Sequence, residues 1–483
     1  MIPLPVGFEV AFDRSVRCES EGRLLVGGRP GRALHLTNSG RDALLEIQSG
    51  RVESESARLL ARLLIEAGMA HPRPPKRECA PEVTIIVPVR DRSQMLDKCL
   101  GALGDQAPLV VVDDGSRDPA LTTSICARHG ATLFRLEPGR GAAAARNAGV
   151  AATSTEFVGF VDSDCIPHAR WLHDLLPHFA DPAIAAVAPR IVPRLPAGPA
   201  TSRKVFTTMR SPLDMGPHEG LVTPRGAIPY VPTAALIVRR AALEPPFDPS
   251  LRYGEDVDLV WRLHDAGWEV RYVPQVLAEH DEPTNWRGLL TRRFRYGTSV
   301  GPLARRHSGR LSHLVLQPWT TATTAALFAG YGKTTLAMTA VQTIALSRRS
   351  GGVRLPLKSS SRYAVSGVGH TIEGVGRAST MFAAPVLIAA LAHRRTRRTA
   401  LALLAAPPVA EWVRRRPGID PLRWSLACLA DDVAYGAGVW RGCVAERTVA
   451  PLVPEFVTNE HHTAQTRPNE KEHDGLTQSG PAP

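Results

Sequence analysis

From Val83 onward the chain alternates between short, wholly apolar, β-branched runs and helix-forming stretches, and this order restricts the possible folds more than any other feature. The run VTIIVPV (83–89) shows no polar–apolar alternation, as expected of a strand covered on both faces. SQMLDKCLGAL then reads as helix, LVVVDDGS as strand, GAAAARNAGVAA as helix and FVGFVDSD as strand. This βαβα order predicts an α/β domain whose ligands bind at the carboxyl ends of its strands.

Carboxylates collect where those ends should be. Asp113-Asp114-Gly115-Ser116 closes one strand, and Asp162-Ser163-Asp164 closes another. Glu255, Asp256 and Asp258, in GEDVDLVWRL, open a later helix. Taken singly each has an ordinary explanation, because Asp before Gly makes turns and acidic residues complement a helix N-terminus. Like charges one residue apart at the end of an apolar strand mean either a solvated turn or a positive charge between them. If Asp162 and Asp164 occupy alternate strand positions they point to one side, where a hard ion such as Mg²⁺ or Mn²⁺ could bridge them.

The segments VTIIVPVRDR, VVVDDGS, GAAAARNAGV, FVDSD and YGEDVDLVWRL together resemble the family-two glycosyltransferases of the GT-A fold, a Rossmann-like nucleotide-sugar domain, over about Val83–Gly301. The resemblance implies that Pro88, Asp113, Asp114, Arg146 and Asp162 line the nucleotide sugar, with Asp113 and Asp114 at a uridine and Arg146 near the diphosphate or donor sugar. It implies a divalent metal held by Asp162, Asp164 and His280, although an ordinary structural histidine suits His280 equally well. Asp256 becomes the base that takes the acceptor proton, assisted by Glu255, in a single inverting displacement. Two departures stand out. Pro232-Thr233-Ala234-Ala235 occupies the place of a glycine-containing acceptor loop, and RRFRYGTS (292–299) replaces a QxxRW motif. A basic solvated helix is the expected setting of Arg292, Arg293 and Arg295.

The flanking regions differ in texture. Residues 1–71 read as a small α+β unit with strands at FEVAFDRSVRCES and RLLVGG, a turn at Gly27, Gly28, Pro30 and Gly31, a helix capped near Thr37, and an amphipathic helix presenting Leu59, Leu60, Leu63 and Leu64. Such a unit resembles the winged-helix peptide-recognition modules of modified-peptide biosynthesis, and a plain structural appendage fits as well. A Pro-rich linker (72–81), the catalytic domain (82–310), an apolar and basic helical region (311–453) and a polar, disordered tail (454–483) complete the expected organisation. Within 311–453 the apolar runs fall short of about 20 residues, and Arg348–Arg349 and Arg394–Arg398 flank them, which suits shallow attachment to an anionic cytoplasmic membrane face. The net charge is 58 − 46 = +12, favouring anionic partners. Without aromatic interleaving among the arginines, nucleic acid is not expected. Seven scattered Cys with no CxxC pair indicate neither a disulfide framework nor a zinc site. His168, His173 and His178 read as surface residues.

The whole chain also resembles the glycosyltransferases of mycofactocin biosynthesis, notably at GRALHLTNSGRDALLEI and YGEDVDLVWRLHDAGWEVRYVP. That resemblance implies β-1,4 transfer of glucose from UDP-glucose onto a peptide-derived redox-cofactor precursor. A membrane polysaccharide or cell-wall glycosyltransferase, and a non-catalytic peptide-binding adaptor, remain as alternatives.

Overall fold

The structure, a computed structural model, describes residues 2–19, 22–29, 31–75, 82–348 and 357–457. Pro30, Arg349, residues 76–81 of the expected linker and residues 458–483 of the expected tail lie outside the described residues. The chain forms two compact units, one of Met1–Leu311 with Pro408–Thr448 and one of Ser312–Pro407 with Val449–Pro483.

The first unit begins with β1 (Glu9–Phe12), β2 (Arg17–Glu19), β3 (Leu24–Gly27), β4 (Arg32–His35), α1 (Asn38–Gln48), α2 (Glu55–Glu66) and β5 (Ala70–Arg73). β2, β3 and β4 form an antiparallel meander, while β1 pairs with β5. Thr37 caps α1 by accepting from the Gly40 amide at 3.2 Å. α2 buries Ala57, Leu60, Ala61, Leu64 and Ile65, a face rotated from the predicted one, so that Leu63 is left in solvent. Arg62 is buried too, because its guanidinium donates to Asp181 at 2.7 Å and to Glu269 at 3.0 Å. These contacts fasten the small domain to the large sheet.

The large α/β domain follows as β6 (Val83–Val89), α3 (Ser93–Leu103), β7 (Leu109–Asp113), α4 (Pro119–Arg128), β8 (Thr132–Arg135), α5 (Ala142–Ala151), β9 (Phe157–Val161), β10 (Cys165–Pro167), α6 (Trp171–Leu175), β11 (Ile184–Arg194), α7 (Ser202–Arg210), β12 (Gly220–Leu221), β13 (Ala235–Arg239), α8 (Glu255–Asp265), β14 (Glu269–Asp281), α9 (Trp286–Thr298) and α10 (Val300–Arg306). The sheet runs β10-β14-β11-β13-β9-β6-β7-β8, with β12 added beside β14. β9, β6, β7 and β8 are parallel. The strand order reverses between β6 and β9, and the crevice outside the carboxyl ends at such a reversal is where α/β sheets bind ligands. Ile85, Val87 and Val111 enter one core and Ile86, Val110 and Val112 the other, which explains the unbroken apolar runs.

The remaining elements are β15 (Val315–Leu316), α11 (Pro318–Phe328), α12 (Gly332–Arg348), α13 (Leu357–Ala390, kinked at Ala383), α14 (Arg397–Arg415), α15 (Pro421–Ala445) and β16 (Glu455–Phe456). Among the described residues no helix is long and apolar enough to cross a membrane. The region predicted as one helical block is divided, since α15 belongs to the first unit and packs on α9. Glycines make that seam. A Cβ on Gly297 would lie 2.2 Å from the Tyr435 carbonyl oxygen, and one on Gly438 2.0 Å from that of Phe294. Gly301 and Gly442 meet equally closely one turn further on. Trp424 is sealed beside Phe206 and Leu289 at the other end of α15.

Candidate active site

Each acidic motif arrives at the strand-end crevice by a different element. Pro88 is buried near the end of β6, opposite Val112 of β7. Asp113 ends β7, fully buried, accepting from the Ser116 amide at 2.8 Å and from the Arg135 guanidinium. Asp114 takes the amides of Arg140 at 2.5 Å and Gly141 at 2.9 Å. Both carboxylates thus hold the loops that rim the crevice.

β9 stops at Val161, so Asp162, Ser163 and Asp164 form a turn before β10. The expected alternate strand positions are therefore absent. A turn is the setting that two adjacent carboxylates favour over a strand interior. Asp162 meets Arg146 at 2.7 Å, and Asp164 meets Arg92. His280, 116 residues later in the sequence, reaches Asp164 because β14 pairs antiparallel with β10, setting His280 opposite Cys165. Its Nε2 lies 3.6 Å from Asp164 Oδ2, and its Nδ1 is buried without a hydrogen-bond partner.

α8 opens at Gly254, whose φ of 82° is reserved for glycine and whose missing side chain makes room for Leu303 and Ser299. Glu255 accepts from Arg146 at 2.7 Å. Arg146 lies almost fully buried between Asp162 and Glu255. Burial works against its charge, but the two carboxylates outweigh that and raise its pKa. Arg146 is thus a brace between two acidic motifs. Asp256, half-buried, accepts from the Val257 amide within its own helix turn, at 2.8 Å. Burial and the neighbouring Glu255 charge push its pKa up to about 7. Asp258 is held by Arg262 at 2.8 Å and His307 at 2.9 Å, so it braces α8.

Other expectations change. His178 is buried rather than at the surface, and desolvation lowers its pKa to about 3. Arg292 and Arg293 are not solvated: they pair with Glu282 and Asp431 respectively. Sequence reasoning missed Arg92 and Glu282, although the charged string EHDEP at a strand end was a visible signal for the latter.

Asp162, Asp164 and His280 do not gather into one cluster. Among the described residues no three His, Cys, Asp or Glu side chains are grouped to hold a metal ion. Asp164 and His280 are the pair that comes nearest to one. Two neighbouring ligands at about 2.1 Å from an octahedral ion lie about 3 Å apart, shorter than the observed 3.6 Å, and the Arg92 guanidinium shares Oδ2 of Asp164, so both side chains would have to close on an ion that takes its other ligands from water and phosphate.

Residues 84–244 match the model of glycosyl transferase family 2. The chain is also 36% identical over 473 residues, covering 94% of itself and 99% of the relative, to a protein described as Pre-mycofactocin glycosyltransferase in two strains of Mycobacterium tuberculosis. The chain belongs to the family-2 glycosyltransferases, which transfer sugars from nucleotide-sugar donors, and its fold is of the GT-A-like α/β type. Within that family its similarity to the mycobacterial protein runs nearly end to end. Glycosyltransferase AglE of Haloferax volcanii is 28% identical over 233 residues, 45% of this chain and 72% of that one. Among solved structures, the Pyrobaculum calidifontis mannosyltransferase PcManGT in complex with GDP-Man and Mn²⁺ covers 76% of this chain and 89% of its own at 19% identity, with a TM-score of 0.44.

Proposed function

We propose that this glycosyltransferase carries out metal-dependent, inverting transfer of glucose from UDP-glucose, through β-1,4 links, onto a peptide-derived redox-cofactor precursor. The observation that carries the reading is the Arg146 brace, which ties Asp162 of the strand-end turn to Glu255 and so brings Asp256 beside the donor crevice. In this reading Asp256 takes the acceptor hydroxyl proton, with burial and then the Glu255 charge holding its pKa up at about 7. Pro88, Asp113 and Asp114 bound the uridine pocket. Asp164 and His280 would hold Mg²⁺ or Mn²⁺, which when bound offsets the charge on the leaving diphosphate. Asp162 contributes through Arg146.

The acceptor class rests on the likeness to the mycobacterial protein and on the N-terminal domain, read as a winged-helix-like peptide-binding module whose meander has open edges at β2 and β4. Attachment to the cytoplasmic membrane face is supported by exposed Trp319, Phe328, Tyr331, Leu336 and Ile344 in the second unit, and by exposed Arg394, Arg395, Arg397 and Arg398. Release of UDP from a panel of sugar nucleotides, with and without chelator, tests the reading. UDP-glucose should be preferred, and Asp164→Ala should abolish transfer with the fold intact. Undiminished activity in excess chelator would remove the metal, and transfer only to growing polysaccharide would favour a cell-wall enzyme.

A further inference from the structure

Behind the Asp164–His280 pair lies a carboxylate for which the transfer reaction, as described, has no use. Glu282 has its side chain wholly out of solvent. It receives the Arg292 guanidinium and the Ser211 hydroxyl, the latter at 3.3 Å. Its Oε1 stands 3.7 Å from Nδ1 of His280, the ring nitrogen that has no hydrogen-bond partner. Charge is costly at such depth unless paired, so a buried Glu facing a histidine calls for an explanation.

The neutral imidazole has two arrangements. With the proton on Nε2, Nδ1 would turn a lone pair toward the Glu282 carboxylate in a site closed to water. With the proton on Nδ1, that nitrogen faces an acceptor, and Nε2 offers its lone pair toward Asp164 across 3.6 Å. A lone pair and a carboxylate oxygen facing each other need positive charge close by; the Arg92 guanidinium supplies it at Oδ2 of Asp164, and a bound cation would supply it between the two. Histidines that ligate metals usually donate the other ring N–H to a carboxylate, which fixes tautomer and ring orientation.

Resting on the metal-dependent reading above, we propose that Glu282 is the positioning residue of the cation site, holding the proton on His280 Nδ1 so that Nε2 is free to ligate beside Asp164. Arg292 anchors Glu282 from α9, and the β10–β14 register sets the ring against Asp164. The cation site thus extends inward as a chain, Arg292–Glu282–His280–Asp164, of which only the last member belongs to the strand-end motif.

The test uses the full chain, with Mn²⁺ as probe and UDP saturating. Calorimetry compares the parent with Glu282→Gln and His280→Ala, and nitrogen spectra of labelled histidine read the His280 tautomer. Glu282→Gln should weaken Mn²⁺ binding by about 10–100-fold, the usual effect of removing such a partner. It should also shift the Nδ1-protonated tautomer toward a mixture. Mn²⁺ affinity within about threefold of the parent, with the tautomer unchanged, overturns the proposal. If Glu282→Gln does not fold, the double variant Glu282→Gln/Arg292→Met removes both members of the buried pair and is read the same way. Unchanged Mn²⁺ affinity in His280→Ala overturns the proposed cation site itself. Loss there with none at Glu282→Gln overturns only the role of Glu282.

Discussion

Replacing Asp256 by Asn separates catalysis from stability. An acid whose pKa is raised on folding binds its proton more tightly in the native state. The native chain is then penalised as pH climbs from the unfolded value of 3.8 through about 7, with the full penalty above that. Three units correspond to about 4 kcal/mol, and the open side of the half-buried carboxylate reduces this by solvent screening to about 1–3 kcal/mol. Asn keeps the shape and the acceptor for the Val257 amide while removing the charge that meets Glu255. The variant should therefore come closest to the parent in urea unfolding near pH 3, below the unfolded pKa, and exceed it by about 1–3 kcal/mol at pH 8. Its turnover should fall by about 10²–10⁴, the usual worth of a general base. The parent's kcat/KM should rise with pH through a midpoint near 7, as Asp256 loses its proton. Turnover within a few-fold of the parent, together with equal or lower stability at pH 8, would refute the reasoning and leave Asp256 as a helix cap.

Three further outcomes follow from the same structure. Arg146→Met leaves Asp162 and Glu255 facing each other without their shared cation; breaking a buried pair costs about 3–5 kcal/mol, so a large drop in urea midpoint should accompany loss of transfer. Gly438→Ala sets a methyl group 2.0 Å from the Phe294 carbonyl oxygen and should cost about 1–3 kcal/mol or more, read in the same assay, whereas Gly267→Ala meets no neighbouring atom and strains only its own φ of 83°. In cell fractionation the chain should sediment with membranes, release by high salt marking electrostatic attachment and retention through carbonate marking shallow inserted helices; full recovery in the soluble fraction at low salt would remove the membrane proposal.

The sequence order revealed the sheet because each strand needed only its own residues to declare itself: VTIIVPV and FVGFV are buried on both faces whatever surrounds them. The acidic pairs were legible for the same reason, as short local strings. What stayed hidden depended on partners distant in the chain. Nothing near Arg146 reveals that its two donors reach Asp162 and Glu255, and nothing near His280 reveals a register that sets it against Asp164. The burial of His178 escapes a local reading because the sheet and the N-terminal domain decide it, rather than the residues beside it in the chain. The sequence shows charge at Arg292 and Arg293 but not the carboxylates, Glu282 and Asp431, that take it out of water.

The glycine seam between α9 and α15 also has a consequence for synthesis. Ribosomes release this polypeptide from its amino end, so α9 and α10 emerge long before their partner helix, and the whole of Ser312–Pro407 must be made in between. At roughly 5–20 residues per second that interval is on the order of ten seconds. Throughout it the bare backbone stripe at Gly297 and Gly301 is exposed to any other helix that can approach. An expression boundary drawn just after α10 would make that exposure permanent. A soluble catalytic fragment should therefore keep Pro408–Thr448 and replace the segment between with a short linker.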